Sequence, residues 1–153
     1  MLKLKNAKKS KPQQSDLIGT WKLLSFFMKD QNGEKIFPYG ETPMGYLIYT
    51  SEGIVSVHIM SSNRPSCGTQ QYQSGTDLEK IESAENYGGY IGTYELQDDH
   101  VIHTAELCGF TRLINSPERK DISLNGDQLT TSYKDSSSGK ELDGELIWKK
   151  VRQ

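Results

Sequence analysis

Three histidines are the side chains of this chain best suited to acid–base or ligand chemistry near neutral pH. His58 and His103 lie inside strand-like runs, where both are able to point into a protein interior, whereas His100 follows two aspartates at a turn. Two histidines without a third ligand at a fixed spacing are a weak metal signal, so we predict no bound metal and no cofactor. His58 and His103 are the candidate catalytic residues if the chain is an enzyme. Ordinary hydrogen-bonded strand histidines are the alternative.

Tyrosine is the second residue type that could contact a ligand, since the chain has eight tyrosines against four phenylalanines. Inside a cavity, tyrosine supplies an apolar wall and a directional hydroxyl, as small-molecule pockets require, although strand propensity alone would also account for it. Phe27 and Met60 are predicted to line the same wall near an open end. The predicted ligand-binding residues are Phe27, Tyr49, His58, Met60, Tyr90, Tyr94, His103 and Tyr133.

No common catalytic motif accompanies these side chains. The sequence has no Gly-x-Ser-x-Gly elbow, no phosphate-binding glycine loop and no His-Glu-x-x-His pattern. Cys67 has no neighbouring base in sequence that would make it a nucleophile. Arg64, in the same loop, is either a cap over a cavity or a solvated side chain. Whether the chain is an enzyme therefore stays open.

Strand-like runs recur at short intervals along the chain and would position these side chains. Asn-Gly pairs at 32–33 and 125–126 are typical of tight hairpin turns between antiparallel strands. Thr76 and Glu79, three residues apart, predict a capping box at the start of a short helix over about 77–86. Because strands and helices do not alternate, the pattern favours a mainly β protein, an antiparallel barrel of about 8–10 strands with that one helix.

One end of the predicted barrel is marked by Gly19 and Trp21. Glycine permits close backbone approach, and an indole two residues later fills the narrow end of a tapered interior. A cation stacked on the indole would be favourable by about 0.5–2 kcal/mol, and Arg119 is the first choice for it, with Arg152 second. Gly19, Trp21 and Arg119 are therefore predicted to close the barrel, which is a structural role.

Charge is distributed unevenly along the chain. Residues 1–15 hold five of the 18 lysines and arginines and no acid, whereas the other 13 share residues 16–153 with all 20 acidic residues. We predict a disordered lysine-rich tail over 1–15 and one barrel domain over 16–153. The acidic domain argues against a nucleic-acid partner. A tail that recruits an anionic partner is the alternative.

Targeting signals are absent from the sequence as it stands. No apolar run is long enough to span a membrane, and no secretion signal is evident. We therefore expect a cytoplasmic protein in which Cys67 and Cys108 are reduced thiols. The sequence leaves the oligomeric state open.

Six short motifs follow one another along the chain. The first is Leu-Ile-Gly-Thr-Trp-Lys-Leu-Leu-Ser-Phe at 17–26 and the last is Leu-Ile-Trp-Lys-Lys-Val at 146–151. Between them lie Gly-Tyr-Leu-Ile-Tyr-Thr at 45–50, Tyr-Ile-Gly-Thr-Tyr-Glu at 90–95, Val101 with His103, and Arg119 with Leu-Asn-Gly-Asp-Gln-Leu at 124–129. Together they resemble the bacterial and fungal lipocalin-like domain family, over roughly residues 15–152.

The resemblance implies a calycin-type antiparallel barrel with a cavity for a small molecule, but it implies neither one ligand nor one reaction. We therefore predict a lipocalin-like protein that binds a small, largely apolar ligand inside the barrel. The alternative is a small cyclase or isomerase that acts on an apolar substrate in the same cavity, through His58, His103 or a tyrosine.

Overall fold

Nine antiparallel strands form one continuous sheet in the computed structural model, which describes residues 11–65, 68 and 71–152. Two helices accompany them, α1 (Gln14–Leu17) and α2 (Asp77–Glu85), with 3-10 turns at Tyr72–Ser74 and Thr111–Leu113. The strands are β1 (Gly19–Lys29), β2 (Lys35–Ile36), β3 (Met44–Tyr49), β4 (Ile54–Met60), β5 (Tyr87–Leu96), β6 (His100–Cys108), β7 (Pro117–Asn125), β8 (Gln128–Asp135) and β9 (Leu142–Lys150).

The sheet closes on itself because β1 pairs with both β3 and β9. Residues 19–22 of β1 lie beside β3, and residues 21–29 lie beside β9. The two-residue strand β2 only extends β1 beyond its contact with β3, so eight longer strands form the barrel. Closure leaves these strands without an exposed edge, which removes a common route to aggregation. The predicted mainly β antiparallel barrel is confirmed.

The predicted helix is present as α2. The Thr76 hydroxyl accepts a hydrogen bond from the Glu79 backbone N–H at 3.2 Å, and the Glu79 carboxylate accepts one from the Thr76 N–H at 2.7 Å. This is the capping box that the sequence predicts. No side chain of α2 is buried, so the helix lies at the periphery of the barrel. No helix within the described ranges is long and apolar enough to cross a membrane.

Helix α1 lies across the end of the barrel that contains Trp21. The buried Trp21 indole N–H donates to the Leu17 carbonyl at 2.8 Å, and Leu17 itself is fully buried. Residues 14 and 15, which were assigned to the predicted tail over 1–15, are thus part of this helix, while residues 1–10 lie outside the described residues. The short helix and the indole together cover this end of the barrel.

The cation beside Trp21 is Lys150 rather than Arg119. The Lys150 ammonium lies 4.8 Å from the centre of the indole and donates to the Asp16 carbonyl at 3.2 Å. Arg119 instead pairs with Asp121 at 2.7 Å, on the outside of β7. Arg152, the second choice, pairs with Asp127. The interaction was predicted, but its cation was not, because β9 returns directly beside β1 and brings Lys150 opposite Trp21.

A β-bulge in β1 changes which of its side chains point inward. Leu23 pairs with Trp148 and Ser25 with Ile147, so Leu24 is an extra residue in the ladder. The alternation of faces shifts by one position at such a bulge. Phe26 and Met28 consequently face the interior, whereas Phe27, predicted to line it, packs outside against Phe37 with ring centres 6.5 Å apart.

Candidate functional site

A cavity of about 800 Å³ occupies the barrel interior beyond the tightly packed Trp21 end. Its apolar wall is formed by Phe26, Met28, Leu47, Val57, Ile59, Leu146 and Trp148. Its rim is formed by the segments 109–113 and 134–137 together with Pro38 and Tyr39. A second depression, on the outside of the closed end, is lined mostly by surface side chains such as Lys11 and Asp98, which pair at 2.8 Å. The internal cavity is therefore the candidate site.

One polar group of the cavity is built from side chains of β3, β5 and β6. Tyr90 and His103 line the cavity, and Tyr49 lies behind His103. The Tyr49 hydroxyl is 2.8 Å from His103 Nε2, and the Tyr90 hydroxyl is 2.7 Å from His103 Nδ1. Alternation along β5 and β6 brings these side chains to the interior, since Tyr90 and His103 occupy the face shared by Tyr94 and Val101.

The imidazole of His103 is neutral at physiological pH. Its side chain is only 4% exposed, and burial together with the positive charge of Lys120 lowers its pKa from 6.5 to about 3. Burial also raises the pKa of Tyr49 and of Tyr90 above the ordinary value of a phenol. The three side chains therefore form a neutral hydrogen-bonded cluster rather than an ion pair.

A second polar group comes from the inward faces of β7 and β8. Lys120, Glu118 and Tyr133 line the cavity, and the Lys120 ammonium lies 4.2 Å from the centre of the Tyr133 ring. Burial lowers the pKa of Lys120, although the charges of Glu118 and Asp135 oppose the shift. A cation over an aromatic face is favourable by about 0.5–2 kcal/mol, more where water is excluded. The lysine is thus held against the cavity wall by an aromatic ring.

Gly144 makes room for Tyr133. Tyr133 and Gly144 are paired residues of β8 and β9, and a Cβ on Gly144 would overlap the Tyr133 ring, with the hydroxyl oxygen at 2.9 Å. The ring can therefore lie across its neighbouring strand. Below it, the Trp148 indole N–H donates to the Thr131 hydroxyl at 3.1 Å. Each fully buried side-chain nitrogen or oxygen of the described residues has at least one hydrogen-bond partner.

The predicted ligand-binding residues fall into three groups. Tyr90, His103 and Tyr133 line the cavity. Tyr49 and Tyr94 are buried beside it, and Tyr94 donates its hydroxyl to the Thr50 carbonyl at 2.8 Å, toward the closed end. The remaining three, Phe27, His58 and Met60, lie outside the set of lining residues.

His58 and Met60 belong to the outer surface of β4. His58 is exposed, and its ring bonds to the Tyr87 hydroxyl and, at 3.1 Å, to Ser56. Met60 contacts Arg64, whose guanidinium lies 5.6 Å from the Tyr87 ring instead of over the cavity. The alternation of Val55, Val57 and Ile59 on the inner face carries the even-numbered residues outward. His58 thus has no access to the cavity, and both ring nitrogens of His103 are already hydrogen-bonded.

Among the cavity residues that the sequence did not predict, Phe26 and Met28 were missed because of the bulge, and Glu118 and Lys120 because they are charged. On β7 these two share a face with Ile122 and Leu124, and this alternation was the signal that could have found them. Among the described residues, no group of three His, Cys, Asp or Glu side chains is arranged to hold a metal ion. Cys67 lies outside the described residues.

A closed antiparallel barrel, sealed at one end by an indole and hollow at the other, defines a calycin-type protein with an internal cavity. Comparison with protein families agrees with this class, since the family described as a lipocalin-like domain matches residues 18–151. The chain belongs to this lipocalin-like domain family.

A curated relative is the 4'-hydroxy-3'-methoxypropiophenone carrier protein ppsC of Aspergillus oryzae (strain ATCC 42149 / RIB 40). The two sequences are 26% identical over 107 residues, which cover 63% of this chain and 96% of the relative. No solved structure gave a significant match to the chain.

Proposed function

We propose that this protein binds a small, largely apolar aromatic molecule in the barrel cavity and acts as its carrier. The observation that carries the proposal is the internal cavity of about 800 Å³, which has an apolar wall on one side and a few polar groups on the other. Pockets of about 300–1,000 Å³ with this division are typical of small-molecule sites. A relative described as a carrier of an aryl ketone supports the same class of ligand.

Apolar burial would supply most of the affinity. Each Å² of apolar surface removed from water contributes roughly 25 cal/mol, and the wall formed by Leu47, Val57 and Leu146 offers such surface. Phe26 and Trp148 add aromatic faces on which a ligand ring can stack. The polar groups around Tyr90 and Lys120 would then set the orientation of the ligand rather than its affinity alone.

The test is calorimetric titration of the protein with 4'-hydroxy-3'-methoxypropiophenone, using a matched pair of variants in β9. Leu146→Trp places an indole in the cavity, whereas Ile147→Trp places it on the opposite face of the same strand. We expect saturable binding by the wild type, a loss of affinity of at least about tenfold in L146W, and little change in I147W. Absence of binding by the wild type, or equal losses in both variants, would contradict a cavity site for this ligand class.

A further inference from the structure

The Tyr49–His103–Tyr90 cluster has a defined direction of hydrogen bonding. A neutral imidazole has one N–H donor and one acceptor nitrogen, so one tyrosine must donate to His103 and the other must accept from it. The Tyr49 hydroxyl has His103 as its only hydrogen-bond partner in the described part of the chain. If the Tyr49 oxygen accepted a hydrogen bond from the imidazole N–H, its own buried O–H would have no acceptor, at a considerable free-energy cost.

Tyr49 therefore donates to Nε2, and the imidazole carries its proton on Nδ1, which donates to the Tyr90 oxygen. In this arrangement the Tyr90 O–H has no acceptor within the cluster. Across the described residues it has no acceptor other than His103, and Tyr90 lines the cavity. The order of the three groups thus directs one hydroxyl proton into the cavity, and each bond in such a chain strengthens the next.

We propose that the Tyr90 hydroxyl, oriented through His103 by Tyr49, donates a hydrogen bond to a carbonyl oxygen of the bound ligand. This inference rests on the proposed function and deepens it, because it names the group by which the ligand is recognised. Tyr90 is the contacting residue, while Tyr49 and His103 are positioning residues.

A carbonyl suits this wall because it accepts a hydrogen bond without bringing a proton of its own. The Lys120 ammonium lines the same cavity and lies close enough to His103 to influence its titration, so a second donor is present nearby. A buried donor that finds no acceptor loses its hydration without compensation. The site should therefore discriminate against ligands that fit the cavity but lack the oxygen.

The first experiment uses two probes that differ by one group. They are 4'-hydroxy-3'-methoxypropiophenone and 2-methoxy-4-propylphenol, in which a methylene replaces the carbonyl. We expect the wild type to bind the ketone about five- to tenfold more tightly, and Tyr90→Phe to remove this preference while binding both probes. If both probes bind the wild type equally, or if Y90F weakens both equally, carbonyl recognition is overturned although cavity binding stands. If neither probe binds, the proposed function fails, and the inference fails with it.

The second experiment reports on the carbonyl directly. The stretching frequency of a ¹³C-labelled ketone carbonyl, measured by infrared difference spectroscopy, should be lowered in the wild-type complex and restored in Y90F. Tyr49→Phe should also raise it, although Tyr49 lies outside the cavity lining, because Tyr90 is then free to donate to His103 instead. The control is Tyr87→Phe, which removes the hydrogen bond between Tyr87 and His58 on the outer face of β5, the strand that also carries Tyr90. An unchanged frequency in Y49F would overturn the relay.

The third measurement needs no ligand. Long-range proton–nitrogen NMR of the histidine rings distinguishes the two neutral tautomers. We expect His103 to carry its proton on Nδ1 in the wild type, and a proton on Nε2 would contradict the directed chain even if ketone binding is found. This separates a failure of the relay from a failure of the cavity as a binding site.

Discussion

A single buried imidazole links the cavity chemistry to the stability of the barrel. In the folded protein His103 stays neutral down to about pH 3, because burial lowers its pKa, whereas in the unfolded chain it titrates near 6.5. Between these values the unfolded chain binds more protons, so acidification favours unfolding. The contribution is complete above pH 6.5 and is lost as the pH falls toward 3.

We expect this residue alone to lower the free energy of unfolding by about 3 kcal/mol between pH 7 and pH 4. Urea denaturation at several pH values measures the change. His103→Gln, which does not titrate, should flatten this part of the profile whatever its stability at pH 7. His58→Gln, at an exposed histidine outside the cavity lining, is the matched control variant. Parallel profiles for the wild type and H103Q would show that the buried imidazole does not cause the loss of stability at low pH.

At the scale of elements, the junction between α1 and β1 determines how tightly the barrel end is sealed. Gly19 has a φ of +133°, which side chains other than hydrogen rarely tolerate, and a Cβ there would lie 3.1 Å from Lys150 Cε. That methyl would push the lysine stem away from Trp21 as well as straining the backbone.

Gly19→Ala should destabilise the protein by about 3 kcal/mol. The matched control is Gly33→Ala, at a hairpin glycine whose φ is also positive but whose Cβ would meet nothing within 4 Å. It should cost about 1 kcal/mol, because only the backbone conformation is disfavoured. Chemical denaturation of the two variants compares them. Equal losses would mean that the contact with Lys150 adds nothing to the seal.

The parts of the fold that could be predicted from the sequence are those determined by signals within a few residues of one another. The capping box of α2 and the hairpin turn at the Asn-Gly pair 125–126 act within a few residues, and both were predicted. The bulge at Leu24 was not, because residues 23–28 are mostly apolar on both faces, so a shift of one position leaves no trace in the pattern. A closed barrel implies that β9 pairs with β1, but the register that brings Lys150 to Trp21 is a tertiary feature that the sequence does not show.

The site was predicted in part for the same physical reasons. Tyr90, His103 and Tyr133 line the cavity because strict alternation places them there. His58 was misplaced, although the inward face of β4 is plainly the one with Val55, Val57 and Ile59. Lys120 is half-buried, and its ammonium lies over the Tyr133 ring, which is a tertiary contact between strands. The charge of a lysine side chain predicts that it is exposed to solvent. Only the alternation along β7 indicates that Lys120 points inward.

At the scale of the whole molecule, closure makes the barrel a single cooperative unit around its cavity. Every long strand has two hydrogen-bonded neighbours, so no strand can leave without breaking two ladders. A ligand that binds only the folded barrel adds RT ln(1 + [L]/Kd) to its stability, which is about 2.7 kcal/mol at a concentration of 100 Kd. Such a gain should reach every strand, including those that do not touch the ligand.

Helix α2 should be excluded from this unit. It has nine residues and no buried side chain, and its apolar residues Leu78 and Ile81 are more than half exposed. An isolated helix of this length is marginal in water even with a good cap. Its amides should therefore exchange with solvent through local opening at low free energy, while those of β1 and β9 exchange only on global unfolding. Saturating ketone should slow exchange in the strands and leave α2 unchanged. Protection of α2 that rises in step with the strands would show that the helix belongs to the cooperative barrel after all.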